Sequence, residues 1–396
     1  MEVLQRAYHR LIREMEVSQF RYLYDKIRWT NRLIGIMGAR GTGKTTLLLQ
    51  HIKKTFPDRD KALYVSLDNL WFASNRLSDL AEQFYDYGGT HLFLDEVHRY
   101  AGWATEIKNI YDSFPRLHIV FTGSSLLEVS KSQADLSRRA VCYSLFGLSF
   151  REFLQFENKL VHKPVTLHEI LTNHQNLAET ISGKLKILPE FRNYLTYGYY
   201  PFYKESIEDY AEKLQSVIHL ILDNDLPAVE NVEYSTLLKI KKLLMIIASL
   251  SPYSPNITQL SNDIESNRSA TLKYLSCLQK AALLRLLTPS QKTMGALTKP
   301  EKIFLDNSNL LYTLTTVANI GNVRETCFVN QLSVNHAITA SKYGDFRVDD
   351  KYIFEIGGKS KTYEQIKNLE NSFIVADDLE TGYGNKIPLW LFGFLY

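Results

Sequence analysis

The sequence predicts an α/β protein that begins with a three-layer α/β/α domain built on a parallel sheet. Short apolar segments alternate with amphipathic helical segments from residue 33 to about residue 150, which is typical of such a sheet. The strand pattern then disappears until about residue 300, which predicts a helical region. Strand and helix patterns return together in the last hundred residues, so a second, smaller α/β domain is expected at the C-terminal end.

The predicted elements follow in order. Residues 1–30 have the period of one amphipathic helix. The predicted strands are RLIGIM, ALYVSLD, HLFLDE, LHIVFTGSS and RAVCYSLF. The helices between them are KTTLLLQHIKKTF, LSDLAEQFYDY and ATEIKNIYDSF, which end at Pro57, Gly88-Gly89 and Pro115.

This pattern predicts five segments. They are an N-terminal helix (1–30), the α/β core (31–155), a helical linker or lid (156–235), a winged-helix-like domain (236–298) and a C-terminal α/β domain (299–396).

Composition narrows the class of protein. A chain of 396 residues is too long for one ordinary core, and a formal net charge of +3 is too small to indicate nucleic-acid binding by itself. Three cysteines far apart in the sequence, Cys142, Cys277 and Cys327, form neither a disulfide framework nor a zinc pattern. The longest apolar runs, LLMIIASL and IPLWLFGFLY, are about half of the roughly 20 residues that a membrane span needs. We therefore expect a soluble, cytoplasmic protein with no membrane segment.

A glycine-rich turn after the first predicted strand matches the pattern G-x-x-x-x-G-K-[ST] of a P-loop NTPase. Glycines let successive backbone N–H groups turn towards phosphate oxygens, and the following helix directs its positive end at the same place. Lys44 is expected to neutralise the β- and γ-phosphate oxygens, and the Thr45 hydroxyl is expected to bind Mg²⁺. The residues expected to contact the nucleotide are Gly38, Ala39, Arg40, Gly41, Thr42, Gly43, Lys44, Thr45 and Thr46.

Two adjacent carboxylates end the third predicted strand. Asp95 fits the position that holds Mg²⁺, and Glu96 fits a base that polarises the water attacking the γ-phosphate. This second acid favours hydrolysis over phosphoryl transfer, although a solvated acidic turn is the alternative. No Asn-Lys-x-Asp string for guanine is present, so ATP with Mg²⁺ is the expected ligand.

The motifs GARGTGKTT, HLFLDE, FTGSS and LSRRAVCYSLFGLSFREFL occur in the order found in one family. The chain resembles the bacterial and archaeal AAA-type (archaeal ATPase-like) proteins that carry a C-terminal conserved domain of unknown function. The resemblance implies that the fourth strand lies between the P-loop strand and the acidic strand.

The same resemblance implies roles for three further residues. It makes Ser124 the candidate sensor of the γ-phosphate or the attacking water, with a plain strand-end turn as the alternative. It makes Arg139 the candidate arginine finger, reaching its own nucleotide or that of a neighbouring subunit. Arg138 competes for that assignment, and a solvated basic turn is the alternative for both. Arg40 matches a family position of unassigned role, so surface exposure is the default expectation.

Two regions of the C-terminal half carry candidate chemistry. Three helical patterns between residues 236 and 290 have the spacing of a winged helix, which binds DNA or docks a protein. Its DNA-facing side chains are expected to be Ser266, Asn267, Arg268, Ser269 and Lys273.

The last hundred residues resemble, distantly, the PD-(D/E)xK nuclease fold. That resemblance places Glu325, Asp349 and Glu355 in a metal site. Gly357 occupies the position of the lysine, and Lys359 comes two residues late. We expect a retained fold that has lost its chemistry.

Three functions follow from these observations. The first is an ATPase whose nucleotide state changes how the C-terminal domains engage DNA or protein. The second is a regulatory or defence switch that binds ATP with negligible turnover. The third, a nuclease, has the least support.

Overall fold

The five predicted strands of the N-terminal part form one parallel sheet. They are β1 (Leu33–Gly38), β2 (Ala62–Ser66), β3 (His91–Asp95), β4 (His118–Ser124) and β5 (Val141–Ser144). Their order is β2-β3-β4-β1-β5, and all neighbouring strands are parallel. β4 therefore lies between the P-loop strand and the acidic strand, as the family resemblance implies. The prediction of a parallel-sheet α/β/α domain is confirmed.

Two compact units make up the computed structural model, which describes residues 1–125, 136, 138–230, 232–250, 252–288, 299–367 and 369–396. The first unit comprises Met1–Phe146 and His219–Glu233. The second comprises Gly147–Ile218 and Tyr234–Tyr396. The segment 219–233, which the sequence pattern assigns to the helical linker, thus belongs to the unit that contains the parallel sheet.

Helices cover the sheet because its strands are almost wholly apolar. All six residues of β1 are buried, as expected of a strand with side chains packed on both faces. The covering helices are α1 (Glu2–Glu14), α2 (Lys44–Thr55), α3 (Leu77–Asp86) and α4 (Trp103–Ser113). Each helix contributes apolar side chains to one continuous core.

The N-terminal helix is shorter than predicted. Helix α1 ends at Glu14, and Met15 is already in an extended conformation, so the prediction of one helix over residues 1–30 is wrong in its extent. Leu4, Tyr8 and Ile12 form the buried face of α1. Beyond it, aromatic packing replaces helical periodicity: the Tyr24 and Trp29 rings lie 5.6 Å apart.

Helices also dominate the start of the second unit, as predicted. They are α5 (Phe150–Phe156), α6 (Leu167–Ser182), α7 (Ile187–Tyr197) and α8 (Tyr210–Leu220). A π-helical turn, Ile221–Asp225, and the short α9 (Leu226–Glu230) follow α8 and lie within the segment assigned to the first unit. A π-helical turn places its side chains out of register with the preceding helix, and such turns are frequent at functional sites.

Three helices and a hairpin occupy the region expected to be a winged helix. The helices are α10 (Tyr234–Leu250), α11 (Ile257–Asp263) and α12 (Arg268–Lys280), and the antiparallel strands are β6 (Leu284–Leu287) and β7 (Lys302–Leu305). The order of elements agrees with the sequence pattern, and the winged-helix assignment stays a prediction.

The C-terminal region contains a mixed five-stranded sheet of order β12-β11-β10-β9-β8. Its elements are α13 (Ser308–Leu314), α14 (Ile320–Leu332), β8 (Ile338–Ala340), β9 (Phe346–Val348), β10 (Tyr352–Gly357), β11 (Ser372–Ala376) and β12 (Lys386–Pro388). The apolar C-terminal run IPLWLFGFLY is only partly a strand. Only its first residues pair with β11, and Leu389–Phe394 form a buried 3₁₀ helix.

Among the described residues, no helix is both long and apolar enough to cross a membrane.

Burial of His51 makes the stability of the first unit depend on pH. The His51 ring stacks on Trp29 with centroids 3.6 Å apart, and burial, with the nearby His91 and Lys54, lowers its pKa from 6.5 to about 3. In the unfolded chain the His51 ring therefore binds a proton near pH 6.5, whereas in the folded chain it stays neutral at that pH. Between pH 7 and pH 5 we expect this histidine to lower the free energy of unfolding by about 2 kcal/mol.

Urea denaturation at the two pH values measures this loss. His51→Gln removes the titrating group, so the difference between pH 7 and pH 5 should shrink, whereas His9→Gln, at an exposed position on α1, should leave it unchanged. An unchanged pH dependence in His51→Gln would contradict the assignment.

Candidate nucleotide-binding site

The turn between β1 and α2 has the backbone that its glycines make possible. Gly41 and Gly43 have φ angles of 83° and 92°, in the left-handed region that side chains disfavour. At Gly38, a Cβ would collide with the Leu145 carbonyl oxygen. These positions require glycine, and glycine is the residue that lets successive backbone amides turn towards a bound anion.

Lys44 lies inside this loop. Its ammonium group donates hydrogen bonds to the Gly38 and Ala39 carbonyl oxygens, each at 3.0 Å. Burial lowers the pKa of Lys44, and the Glu96 and Asp95 carboxylates oppose that shift. A cation buried at the start of a helix is suited to bind phosphate oxygens, because little water competes for it.

Asp95, at the end of β3, is held by hydroxyl groups from three neighbouring elements. Thr45 donates to its Oδ2 at 2.6 Å and Tyr64 at 2.7 Å, and Thr122 of β4 donates to its Oδ1. Burial and the negative charge of Asp95 together raise the pKa of Tyr64, so the phenol stays a donor. The carboxylate is 2% exposed and fixed in orientation.

The donor set fits a magnesium ion. Mg²⁺ prefers hard oxygen ligands and keeps several of its waters, and the Thr45 hydroxyl and the Asp95 carboxylate supply such oxygens side by side. These are the two residues that the sequence predicts for the metal.

Glu96 is held differently from its neighbour. Its backbone is left-handed, with φ of 53°, and its N–H donates to Thr122 Oγ1 at 3.1 Å. Left-handed backbone is unfavourable for glutamate, so the surrounding structure must impose this conformation. The Glu96 carboxylate lies 3.7 Å from Arg40 and 3.3 Å from His98.

Asp225 was not found from the sequence, although it contacts the P-loop. Its carboxylate accepts two hydrogen bonds from Arg40, each at 3.1 Å, and lies 3.3 Å from Arg99 and 3.5 Å from His98. We call Arg40, Glu96, His98, Arg99 and Asp225 the Asp225 cluster. Burial would raise the pKa of Asp225, but the contacts with His98 and Arg40 outweigh it and lower the pKa to about 2. Arg40 is therefore not the exposed side chain that the sequence suggests.

Distance along the chain explains why the sequence missed this cluster. Asp225 is separated from Arg40 by 185 residues and from His98 by more than a hundred. The only local signal is an acidic residue in the run ILDNDLP, at a position that α-helical periodicity does not single out. The π-helical turn that buries Asp225 cannot be read from that pattern.

The structure places the two hydroxyl residues of β4 in different surroundings. Thr122 contacts both Asp95 and the Glu96 backbone. Ser124, the predicted sensor, is buried and pairs in register with Gly38, at the first glycine of the loop. Thr122 is thus a site residue that the sequence analysis missed, while the sensor role of Ser124 stays a prediction. Thr46, included among the expected nucleotide contacts, is exposed.

Arg139 is engaged within its own chain. Its guanidinium donates to both Asp112 oxygens, at 3.0 and 2.9 Å. Asp112 lies on α4, and both side chains are partly exposed. The finger role of Arg139 or Arg138 stays a prediction.

The C-terminal sheet gathers a different set of residues from the predicted nuclease triad. Asp349 contacts His336 at 2.7 Å, and it is Asp345 whose charge acts on both Glu325 and Glu355. Lys361, not Lys359, forms the ion pair with Glu355, and Gly357 leaves space for the Lys361 stem. Lys302 lies 3.3 Å from Glu325. Lysine ammonium groups therefore lie beside the Glu325 and Glu355 carboxylates. Among the described residues, no three histidine, cysteine or acidic side chains are grouped to hold a metal ion.

The parallel sheet and the glycine-rich loop after β1 define a P-loop NTPase-type α/β/α domain. Comparison with known proteins agrees: residues 30–154 match the family model described as an AAA domain. Residues 188–320 match a domain of unknown function (DUF8612). The expected combination of an AAA-type ATPase domain with a conserved domain of unknown function is confirmed.

Among individual proteins, the chain is similar to the uncharacterized protein MJ1637 of Methanocaldococcus jannaschii. The two are 29% identical over 284 residues, which cover 68% of this chain and 60% of that protein's length.

Solved structures give weaker likenesses. AMPPCP-bound DnaA from Aquifex aeolicus is 16% identical, with a TM-score of 0.28 over 70% of this chain and 88% of that one. PCH-2 of C. elegans is 18% identical, with a TM-score of 0.26 over 40% of this chain and 44% of that one. Scores this low do not establish a shared overall fold.

Replacing Thr122 with valine tests the hydroxyl support of Asp95. The variant keeps the shape of the side chain but leaves a buried carboxylate without one donor, so the free energy of unfolding should fall by about 1–3 kcal/mol in urea. Thr105→Val, at an exposed position on α4, is the matched control. An equal effect in the two variants would mean that Asp95 does not depend on this hydroxyl.

Proposed function

We propose that the first unit binds ATP with Mg²⁺ and hydrolyses it, and that the nucleotide state changes how the C-terminal unit engages a partner. The observation that carries this proposal is the pair of acids at the end of β3. Asp95 is joined to the P-loop through Thr45, and Glu96 is held next to it but turned towards other groups.

The nucleotide would be bound by charge and by backbone amides. The loop amides and the Lys44 ammonium group would hold the β- and γ-phosphate oxygens. Thr45 and Asp95 would hold Mg²⁺, which, when bound, neutralises charge on the phosphates.

Glu96 is the group that would accept the proton of the attacking water. Its carboxylate lies at the same edge of the sheet as the P-loop, on the residue after Asp95. A carboxylate acts as a base only while it is free to accept, so the nearby Arg40 and His98 must not occupy it during turnover. Thr122 supports its backbone, and Ser124 is the candidate that touches the γ-phosphate or the water.

The test is phosphate release with Mg-ATP. Lys44→Ala should lose nucleotide binding, because the buried ammonium group is removed. Glu96→Gln should still bind ATP but release phosphate at least about 100-fold more slowly, since general-base catalysis contributes roughly that much. Glu82→Gln, an exposed acid on α3, is the control and should match the wild type. Equal phosphate release by wild type and Glu96→Gln would overturn the base assignment.

A second function is favoured by the same contacts. Glu96 faces two potentially cationic groups, Arg40 and His98, which would suppress its action as a base. A nucleotide-gated switch binds ATP tightly and turns over negligibly. In such a switch, Arg40 and His98 would stay next to Glu96 while ATP is bound. One ATP per chain, with no phosphate release even after DNA is added, would select the switch.

Partners would bind to exposed surfaces, and the side chains of α12 make duplex DNA the leading candidate. Asn267 caps α12, which begins with Arg268 and Ser269; these three side chains are exposed, and Lys273 is exposed one turn later. Cations and small polar groups at the start of a helix are the side chains that contact DNA in a major groove. A protein partner is the alternative. If Arg139 reaches the nucleotide of a neighbouring subunit, a second copy of this chain would be a further partner.

Substitution of both exposed cations of α12 tests DNA binding. Arg268→Ala with Lys273→Ala should weaken binding of duplex DNA about 10-fold or more at low salt, because two phosphate contacts are lost. Fluorescence anisotropy with labelled DNA at two salt concentrations measures the affinity. The control is Lys159→Ala with Lys184→Ala, which removes two positive charges elsewhere in the second unit. If wild-type chain shows no DNA binding with or without ATP, the partner is a protein.

A further inference from the structure

The Asp225 cluster connects the P-loop, the acidic turn and the segment 219–233. Arg40 lies within the loop, His98 and Arg99 lie in the 3₁₀ turn after β3, and Asp225 ends the π-helical turn. The Asp225 and His98 side chains are each 1% exposed, so their contacts are made away from water. Charged groups removed from water must be paired, which makes each partner within the cluster matter.

We propose that Arg40 exchanges Asp225 for the γ-phosphate of bound ATP, and that this exchange couples the segment 219–233 to the nucleotide state. The proposal rests on the proposed function for the ligand. It goes beyond that function by assigning Arg40 to the γ-phosphate and Asp225 to the positioning of Arg40.

Charge balance supports the exchange. The cluster contains two guanidinium groups and two carboxylates, with His98 between the carboxylates. A triphosphate in the loop adds several negative charges close to Arg40, which is itself a residue of the loop. Guanidinium binds phosphate bidentately, in the same way that Arg40 now binds Asp225, so phosphate can replace the carboxylate without loss of geometry.

Asp225 would not be left unpaired after the exchange. Arg99 lies 3.3 Å from its Oδ1 and His98 Nε2 lies 3.5 Å from the same oxygen. Neither ring nitrogen of His98 has good hydrogen-bond geometry with any of the described residues, so a small movement of the ring can direct Nε2 to Asp225. Two arrangements of the same groups are therefore available, with Asp225 paired in both.

The exchange would also release Glu96. Arg40 at 3.7 Å and His98 at 3.3 Å are the two cationic or titratable groups whose contacts with its carboxylate are seen. If Arg40 turns to the γ-phosphate and His98 turns to Asp225, both leave Glu96. The base would become available only when a triphosphate, and not a diphosphate, occupies the loop.

The position of Asp225 in the chain gives the exchange a consequence. The segment 219–233 belongs to the first unit, and at both ends the chain continues into the second unit. In the arrangement observed, Asp225 ties this segment to the loop through two hydrogen bonds with Arg40. Losing them loosens the segment, so its backbone amides should exchange hydrogen faster.

The test measures affinity for a non-hydrolysable ATP analogue and for ADP, both with Mg²⁺. Asp225→Asn removes the charge that competes for Arg40, so the ratio of analogue to ADP affinity should rise about fivefold. Arg40→Ala should lower that ratio, and Asp225→Asn added to Arg40→Ala should have no further effect. Glu233→Gln, which removes the charge of an exposed acid in the same segment 219–233, is the control and should leave the ratio unchanged.

A second measurement uses wild-type chain and needs no folded variant at position 225. Hydrogen exchange in residues 221–230 should be faster with the ATP analogue than with ADP, and Arg40→Ala should abolish the difference. The same exchange with both nucleotides, or an unchanged affinity ratio in Arg40→Ala, would overturn the proposal. These readouts are binding and exchange. They can therefore fail while phosphate release still falls in Glu96→Gln. Failure of the proposed function would appear separately, as equal phosphate release by wild type and Glu96→Gln.

Discussion

The whole site depends on one buried carboxylate. Asp95 accepts hydroxyl hydrogens from Thr45, Tyr64 and Thr122, which lie on α2, β2 and β4. The parallel sheet makes this possible, since its strands all end at the same edge, and the order β2-β3-β4-β1 places β3 between two of the donors. Without that order, Asp95 at the end of β3 would not lie within hydrogen-bonding distance of both Tyr64 and Thr122.

Local motifs were predictable because their chemistry is contiguous in the chain. The P-loop residues from Gly38 to Thr45 follow one strand and begin one helix, so pattern and geometry coincide. Asp95 is the last residue of β3 and Glu96 follows it directly, as the alternation of apolar segments predicts. The family resemblance added the sheet order, which a single sequence does not determine by its periodicity.

What could not be predicted are the contacts between distant segments. Asp225 contacts Arg40 through a π-helical turn, which changes the register of side chains that a helical pattern implies. In the second unit, the charge of Asp345 acts on Glu355, and the lysine that pairs with Glu355 is Lys361, which no sequence pattern indicates. Loop geometry underlies both contacts: Asp349 lies in a left-handed turn, and the Lys361 stem packs over Gly357.

Two neighbouring acids in one turn are thus given opposite surroundings. Asp95 is held by neutral hydroxyls, which orient a carboxylate without cancelling its charge, as a ligand for a cation requires. Glu96 lies 3.7 Å from the Arg40 guanidinium group and 3.3 Å from His98, an arrangement that in the proposed function would restrain it as a base. The backbone at Glu96 is left-handed, whereas Asp95 is the last residue of β3. In the proposed exchange, the release of Glu96 therefore depends on which group binds Arg40, and in this structure that group is the buried Asp225 carboxylate.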